Sequence, residues 1–174
     1  MRAYERNRET LHAKVIELKR RRRISLASVI SVMFENRGTM RHQIQEMARV
    51  EKLVTDRAIQ DELDIYNTTI PVPGQLCATV FIELTSGEQM REWLSKLVGI
   101  EGSLVFRLAD ASEVRAITEE QHELRLTRDD VTPAVHYVRF ESTAQQVASF
   151  NGIVMLASDH PSYLEQIELN RSPA

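Results

Sequence analysis

The sequence has little cysteine, few glycines and no long apolar run, and each shortage excludes a class of protein. Cys77 is the only cysteine, so one chain cannot form an internal disulfide, a zinc ribbon or an all-cysteine iron–sulfur cluster. The six glycines are scattered and form neither a dinucleotide-binding loop nor a P-loop. No apolar run approaches the roughly 18 residues that a membrane-spanning helix needs, and the charged N-terminus lacks the apolar core of a secretory signal. We therefore expect a cytoplasmic protein.

What the sequence does contain is typical of one globular domain with an uneven distribution of charge. With 174 residues, 43% of them hydrophobic and 27% charged, the chain is long enough for a single core. Residues 1–23 hold nine Lys and Arg against three Asp and Glu, a balance of +6. Because the net charge of the whole chain is −3, residues 24–174 carry −9. The sequence therefore predicts a basic N-terminal helix or arm, residues 1–23, attached to an acidic domain, residues 24–174.

Hydrophobic periodicity predicts helices and strands in alternation, without repeats or linkers. Helices are expected at residues 4–23, 39–53, 56–67, 88–98, 143–150 and 162–169, with Thr39 and Thr55 as N-caps of the second and third. Strands are expected at residues 29–34, 77–84, 104–108, 135–141 and 153–157, while residues 110–130 give no readable pattern. Because the strands alternate polar and apolar residues, the pattern favours an α+β fold, a single domain with a mixed or mainly antiparallel sheet packed with helices.

The first candidate site lies at the start of the second predicted helix, in the stretch FENRGTMR. Arg37 and Arg41, together with the free N–H groups after Thr39, would bind a phosphate or carboxylate, because a helix N-terminus carries partial positive charge. The alternative is that both arginines pair with Glu35 and other surface acids. Arg49 is a further candidate for binding an anionic group.

The second candidate is a set of carboxylates on the two central helices that could bind a metal ion: Glu46, Glu51 and Glu62. His42 and Glu46 are four residues apart and therefore share a helix face, as two metal ligands can. Glu51 is expected to lie closer to the apolar stripe than Glu46, where a carboxylate needs a partner. The alternative is a structural ion pair that holds the basic arm to the domain. Tyr66 and Asn67, at the end of the third helix, are additional candidates.

The third candidate is SDHPSY, residues 158–163, where a predicted strand meets the last predicted helix. Asp159 could orient His160 as a base, with Tyr163 nearby, and His160 could join the carboxylates as a metal ligand. The alternative is an ordinary helix start, with proline in the first turn and a capping box after it.

Three further features are weaker indications of function. The basic run KRRRR, residues 19–23, could bind nucleic acid, or it could be stabilised by the dipole of its own helix and by acidic partners. Cys77 lies in an apolar strand, where a thiol usually packs and does not react. We attribute two Glu-x-x-His matches, Glu9–His12 and Glu119–His122, to chance, because a di-iron site of that kind belongs to a four-helix bundle.

Several of these motifs together resemble a known bacterial family. KRRRR, FENR, QIQEM, DELDIYN, ATVFIE, HYVRF and DHPSY follow one another between about residues 14 and 169. In this respect the sequence is similar to the family called domain of unknown function 3501. The resemblance implies a small cytoplasmic protein in a redox or peroxide-stress setting, and it assigns no activity and no role to any residue.

From these features we expect a non-catalytic accessory protein, homo-oligomeric, that binds a protein partner in a redox or peroxide-stress pathway. No motif requires a cofactor, and no membrane association is expected. The second hypothesis is a metal- or small-anion-binding enzyme built from the carboxylates, His160 and the arginines of the second helix. The third hypothesis is nucleic-acid binding through the basic arm.

Overall fold

The computed structural model of the protein describes residues 2–53, 55–119 and 131–169. In this part of the chain there are five α-helices, a short 3-10 helix and eight strands. The helices are α1 Arg2–Arg20, α2 Arg37–Val50, α3 Asp56–Asn67, α4 Gly87–Lys96 and α5 Ala144–Ser149, and the 3-10 helix is Ile100–Ser103. The strands are β1 Arg23–Leu26, β2 Ile30–Phe34, β3 Gln75–Ile82, β4 Leu104–Leu108, β5 Glu113–Thr118, β6 Val135–Glu141, β7 Val154–His160 and β8 Tyr163–Glu168.

The strands form one antiparallel sheet that bends into a nearly closed barrel, in the order β1-β2-β3-β6-β5-β4-β7-β8. The edge strands β1 and β8 lie in contact. Across this seam the hydroxyl of Tyr163 donates to the carbonyl oxygen of Leu26 at 2.5 Å and accepts from the N–H groups of Val29 and Ile30 at 3.2 and 3.3 Å. The predicted α+β fold with a mainly antiparallel sheet in a single domain is therefore confirmed.

The inside of the barrel is filled by every second strand residue, because successive side chains of a strand point to opposite faces. Ile30, Val32 and Phe34 of β2 contribute to this core, as their alternation predicted. Phe106 of β4 is 1% exposed, and its ring centroid lies 4.6 Å from that of Phe140 on β6. The core is therefore continuous across the barrel.

Helices α1, α2 and α3 pack on the outside of the barrel, where they cover part of β2, β3 and β6. Met40 and Ile44 of α2 and Tyr66 of α3 form a second buried cluster, against which Tyr137 of β6 packs. The N-cap of α3 is Thr55, as predicted, and its hydroxyl accepts the N–H of Ala58 at 3.2 Å. This outer layer leaves the space in which the candidate site lies.

The last element is a strand and not the predicted helix at residues 162–169. His160 pairs with Tyr163 across a two-residue turn, so β7 and β8 form a hairpin. Leu164 and Ile167 have a spacing that fits a helix, but both side chains are exposed. The hydrogen bonds of Tyr163 at the barrel seam and the pairing along β7 stabilise the strand, and together these contacts override the local pattern.

The beginning of α2 was also predicted incorrectly. Its N-cap is Asn36 and not Thr39, because the Asn36 side chain accepts the N–H of Thr39 at 2.9 Å. Thr39 returns the contact by accepting the N–H of Asn36 at 2.9 Å, so the two residues form a capping box. The helix therefore starts at Arg37, two residues earlier than its sequence suggested.

Other boundaries differ by smaller amounts. The arm helix α1 ends at Arg20, because Arg23 already belongs to β1, a strand that was not predicted. Strand β5 lies in the stretch 110–130 that gave no readable pattern, and residues 120–130, including His122, lie outside the described residues. Gly99, three residues after the end of α4, has a φ of 88°, a left-handed conformation that glycine adopts readily.

Candidate functional site

A cavity of about 450 Å³ lies between the outer face of the barrel and helices α2 and α3. We call it the sheet–helix pocket. Its apolar lining consists of Met33, Met40, Met47, Ile65, Phe81 and Val135. Its polar lining consists of Lys19, Glu35, Gln43, Tyr66, Thr79 and Tyr137. Such a cavity, mostly apolar with a few polar groups, has the size and composition of a small-molecule site.

The barrel wall of the pocket follows from the register of three strands. Met33 on β2 is paired with Thr79 on β3, and Thr79 is paired with Tyr137 on β6. These three residues therefore lie side by side on the outer face. On the other wall, Met40 and Met47 are seven residues apart on α2 and so lie on one face of that helix.

Glu35 is the residue of the pocket with the most unusual environment. It directly follows β2, continues the outward-facing positions of that strand and is only 2% exposed. One carboxylate oxygen accepts a hydrogen bond from the hydroxyl of Thr79 at 2.5 Å, and the other accepts one from the hydroxyl of Thr39. No Lys or Arg of the described residues forms an ion pair with it. The hypothesis that Arg37 and Arg41 pair with Glu35 is therefore wrong.

Two tyrosines form a hydrogen-bonded pair in the same pocket. The rings of Tyr66 and Tyr137 meet edge to face with centroids 6.2 Å apart, and their hydroxyl groups interact with each other. Burial raises the pKa of both phenols, and Glu35 adds to the rise in the pKa of Tyr137. Gln43 also bonds to Tyr66. Both phenols are therefore neutral hydrogen-bonding groups at physiological pH.

Glu46 connects α1 to α2 through a compact polar cluster that we call the arm clamp. Arg8 donates from Nε and Nη2 to the two carboxylate oxygens of Glu46, both at 2.8 Å, and Tyr4 donates its hydroxyl. Arg49 lies 3.5 Å from the same carboxylate. The hydrogen bonds from Arg8 lower the pKa of Glu46 to about 2. Burial and this carboxylate raise the pKa of Tyr4 to about 12. Glu46 therefore forms an ion pair with the basic arm.

A pair of histidines extends the contact between α1 and α2. Nδ1 of His12 lies 3.3 Å from Nε2 of His42, and the ring centroids are 5.4 Å apart. His42 is buried, and no protein group of the described chain bonds to its Nδ1. Burial, with Lys19 as the next cause, lowers the pKa of His42. The lowered pKa favours the neutral form of His42 in this contact.

The predicted anion-binding arginines lie at a different cavity. Arg37, Arg41 and Asn67 line a cleft of about 400 Å³ between α2 and α3, on an apolar floor that includes Ile44 and Leu63. Both arginines are exposed. The structure thus brings together three of the sequence-predicted residues, and it places Arg49 apart from them in the arm clamp.

The predicted metal ligands have different surroundings. Glu51 is the exposed C-cap of α2, so the expectation that it lies closer to the apolar stripe than Glu46 is wrong. Glu62 is buried on α3 beside Tyr66. Within the described residues no three or more His, Cys, Asp or Glu side chains are arranged to hold a metal ion.

The predicted Asp159–His160 pair is not formed. Consecutive strand residues point to opposite faces, and Asp159 accepts two hydrogen bonds from Arg115, at 3.0 and 2.6 Å. The Nδ1 atom of His160 accepts the N–H of Ser162 at 3.2 Å, so Nε2 carries the proton and donates to the carbonyl oxygen of Val98 at 3.0 Å. The use of His160 as a base oriented by Asp159 is therefore excluded in this conformation.

The basic run, residues 19–23, and Cys77 both take part in contacts within the fold. Arg22 donates to the carbonyl oxygens of Phe34 and Glu35 at 2.7 and 3.2 Å, which fixes the approach to α2. Arg20 and Arg21, both highly exposed, pair with Glu17 of their own helix. Cys77 is buried and burial raises the pKa of its thiol to about 11, so the prediction of an unreactive packing residue is confirmed.

Within the described part of the chain, no helix has both the length and the apolar character required to cross a bilayer.

Fold and pocket together define a class of protein: a single α+β domain in which helices cover part of an eight-stranded antiparallel barrel. The chain belongs to the family described as "Protein of unknown function (DUF3501)", whose model matches residues 1–173. It is also similar to the crystal structure of a novel protein of unknown function from Burkholderia pseudomallei. The two sequences are 36% identical over 97% of this chain and 88% of that chain, with a TM-score of 0.88. No curated protein matches the chain.

Glu35 is the main site residue that sequence reasoning missed. It was considered only as a surface partner for arginines, because it stands in the polar stretch Glu-Asn-Arg. One signal could have found it: if the alternation of β2 continues for one residue, Glu35 falls on the same face as Met33. That face is the one that a following helix would cover.

Proposed function

We propose that this protein is a non-catalytic binding protein that holds a small molecule in the sheet–helix pocket. The observation that carries the proposal is the pocket itself, about 450 Å³ in volume, with apolar walls and a buried carboxylate. Cavities of roughly 300–1,000 Å³ with such a lining are the usual sites of small ligands.

The chemistry of the lining supports binding over catalysis. The phenols of Tyr66 and Tyr137 have raised pKa values and therefore resist giving up a proton. The thiol of Cys77, on the strand that carries Thr79, also has a raised pKa and is a poor nucleophile. These groups can donate and accept hydrogen bonds, which is the function that a binding site requires of them.

The wider role remains the one expected from the sequence. We propose that the protein is an accessory protein that binds a protein partner in a redox or peroxide-stress pathway. What supports this role is the setting that the resemblance to the family implies.

The pocket can be tested by filling it. Met47→Trp places a large ring in the cavity from α2, whereas Val50→Trp places the same ring on the exposed end of that helix. Thermal-shift and native mass spectrometry would measure binding of a panel of phenylalkyl amines, acids and alcohols. We expect wild type and Val50→Trp to bind the same compounds and Met47→Trp to bind them at least about tenfold more weakly. Equal binding by both tryptophan variants would refute the pocket as the site.

A further inference from the structure

We infer that the ligand of the sheet–helix pocket carries a positive charge, in the form of an ammonium group that pairs with Glu35. This inference rests on the proposed function, because it specifies the chemical class of the molecule that the pocket holds. The observation behind it is a carboxylate that is almost completely buried, lines a cavity and has no ion-pair partner in the described chain.

The hydrogen bonds of Glu35 are only partly complete. An ionised carboxylate offers about four acceptor positions on its two oxygens. The described residues supply one hydroxyl donor to each oxygen, from Thr39 and Thr79. Removing a carboxylate from water is costly unless a cation and further donors compensate for the lost hydration. An ammonium group in the cavity would supply both the charge and up to three donors.

The two threonines that bind Glu35 come from elements on either side of it. Thr39 belongs to the first turn of α2 and Thr79 to the neighbouring strand β3. Their hydroxyl groups therefore hold the carboxylate in place. Glu35 and Thr79 both line the cavity, so a ligand there would lie next to the carboxylate.

The remaining walls fit a cation with an apolar body. Tyr66 and Tyr137 provide aromatic surfaces, which attract cations through their negative faces. The ring of Phe81 already carries the guanidinium group of Arg23, 4.5 Å from its centroid. Three methionines provide flexible apolar surface that adapts to the shape of a bound molecule. An amine with a short aromatic or aliphatic chain satisfies the carboxylate and the walls together.

Lys19 is the one basic residue in the lining. Its presence means that two kinds of ligand could supply the ammonium group, a simple amine or an amino acid. Lys19 belongs to α1 and lines the cavity without forming an ion pair with Glu35. A simple amine would use Glu35 alone, whereas an amino acid would place its ammonium group at Glu35 and its carboxylate towards Lys19. Both ligands contain the group that the inference requires, and a matched set of probes distinguishes them.

The test uses methionine methyl groups as reporters of the pocket. In the full chain labelled with 13C-methyl methionine, the signals of Met33, Met40 and Met47 report occupancy, and exposed Met90 on α4 serves as the internal control. Titrations with phenethylamine, phenylalanine, 2-phenylethanol and 3-phenylpropanoate compare ligands of one body and different charge. We expect phenethylamine or phenylalanine to bind at least about tenfold more tightly than the alcohol.

Variants of Glu35 separate charge from packing. Glu35→Gln keeps the size of the side chain and removes its charge, so it should abolish the preference for the amine and leave the affinity for the alcohol unchanged. The control, Glu165→Gln on exposed β8, should behave as wild type. If Glu35→Gln unfolds, Glu35→Asp keeps the charge and should keep the order of affinities.

Each outcome has a distinct meaning. Tighter binding of an ammonium probe that disappears in Glu35→Gln supports the inference, and the ratio of phenylalanine to phenethylamine affinity then assigns the role of Lys19. Perturbation of the three pocket methyl groups by the alcohol or the acid, with no preference for an ammonium probe, overturns the inference and leaves the proposed binding function standing. If no probe perturbs those methyl groups in wild type, both the inference and the proposed function fail.

Discussion

The two faces of the barrel wall belong to the same strands but differ in how closely their side chains are packed. The inner face of β2, β3 and β6 is closely packed and apolar except for buried His136 near the start of β6, with Val32, Val80 and Phe140 fully buried. The outer face of these strands carries Met33, Thr79 and Tyr137, and between it and the helices a cavity remains open. Residues one position apart therefore face a packed core on one side and an open cavity on the other. Changes to the inner face should affect the free energy of unfolding, and changes to the outer face should affect binding or the attachment of helices.

The largest effect is expected inside the barrel. Phe106→Ala removes a ring that packs against Phe34, Phe140 and Phe150, and it leaves a cavity in the core. We expect a loss of about 3–5 kcal/mol in the free energy of unfolding, measured by urea denaturation. Phe81→Ala, on the pocket side of β3, serves as the matched control and should cost less than half as much, because Phe81 already borders open space. Equal losses would mean that the outer face is as closely packed as the inner one.

A smaller effect is expected at the seam of the barrel. Tyr163→Phe keeps the ring and removes the hydroxyl, so the buried groups of Leu26, Val29 and Ile30 lose their partner. Leaving buried polar groups unsatisfied costs about 1–3 kcal/mol. In hydrogen-exchange measurements, the amides of residues 26–30 and of β8 should exchange faster in Tyr163→Phe than in wild type, with little change in β3 and β6. Uniformly faster exchange throughout the barrel would instead indicate that the seam is not a local element of the fold.

The smallest of the three effects concerns the arm clamp on the outer layer. The pKa of Glu46 is lowered from 4.5 to about 2 in the folded protein, so its ionised form stabilises the fold above pH 4.5. This contribution should be lost as the pH falls from about 5 to 2, because the unfolded chain then binds the proton more readily. Allowing for solvent screening of this partly exposed group, we expect about 1–2 kcal/mol.

Glu46→Gln tests this assignment. The variant should be less stable than wild type at pH 7, and the two should converge in urea denaturation as the pH approaches 2. The matched control is Glu51→Gln, five residues further along the chain at the exposed end of α2, which should follow the wild-type pH profile. Parallel profiles for wild type and Glu46→Gln would show that the clamp does not couple α1 to stability.

Elements with a strong local pattern could be predicted from the sequence. The alternation of β6 and the short, mainly apolar run of β4 gave their bounds, and Thr55 marked the start of α3. Strands β1 and β8 could not be predicted in the same way, because their stability comes from pairing with residues that are distant in sequence or on the other side of a short turn. The helical spacing of Leu164 and Ile167 shows how a local pattern misleads at the edge of a sheet.

The candidate site was less predictable than the fold, for a related reason. Tyr66 was selected as a candidate and does line the pocket, but Glu35 was treated as a surface residue. Its burial depends on Thr79, 44 positions along the chain, and on the helix that covers both residues. Charge patterns in a sequence do not reveal which carboxylate a later strand will enclose. Glu46 was selected as a metal ligand, and its surroundings instead contain two arginines and a phenol.

The hydrogen bonds of Tyr163 also constrain when the protein can fold. They join residues that are between 133 and 137 positions apart, so β1 has to wait for nearly all of the chain before its edge is covered. During synthesis, at about 5–20 residues per second, that edge stays exposed for roughly 7–27 seconds. Since contacts of such long range form slowly, we expect the folding rate to be limited by closure of the barrel. An open strand edge is also a template for pairing with other chains, so we expect closure of the seam by Tyr163 to lower the tendency of the new chain to aggregate.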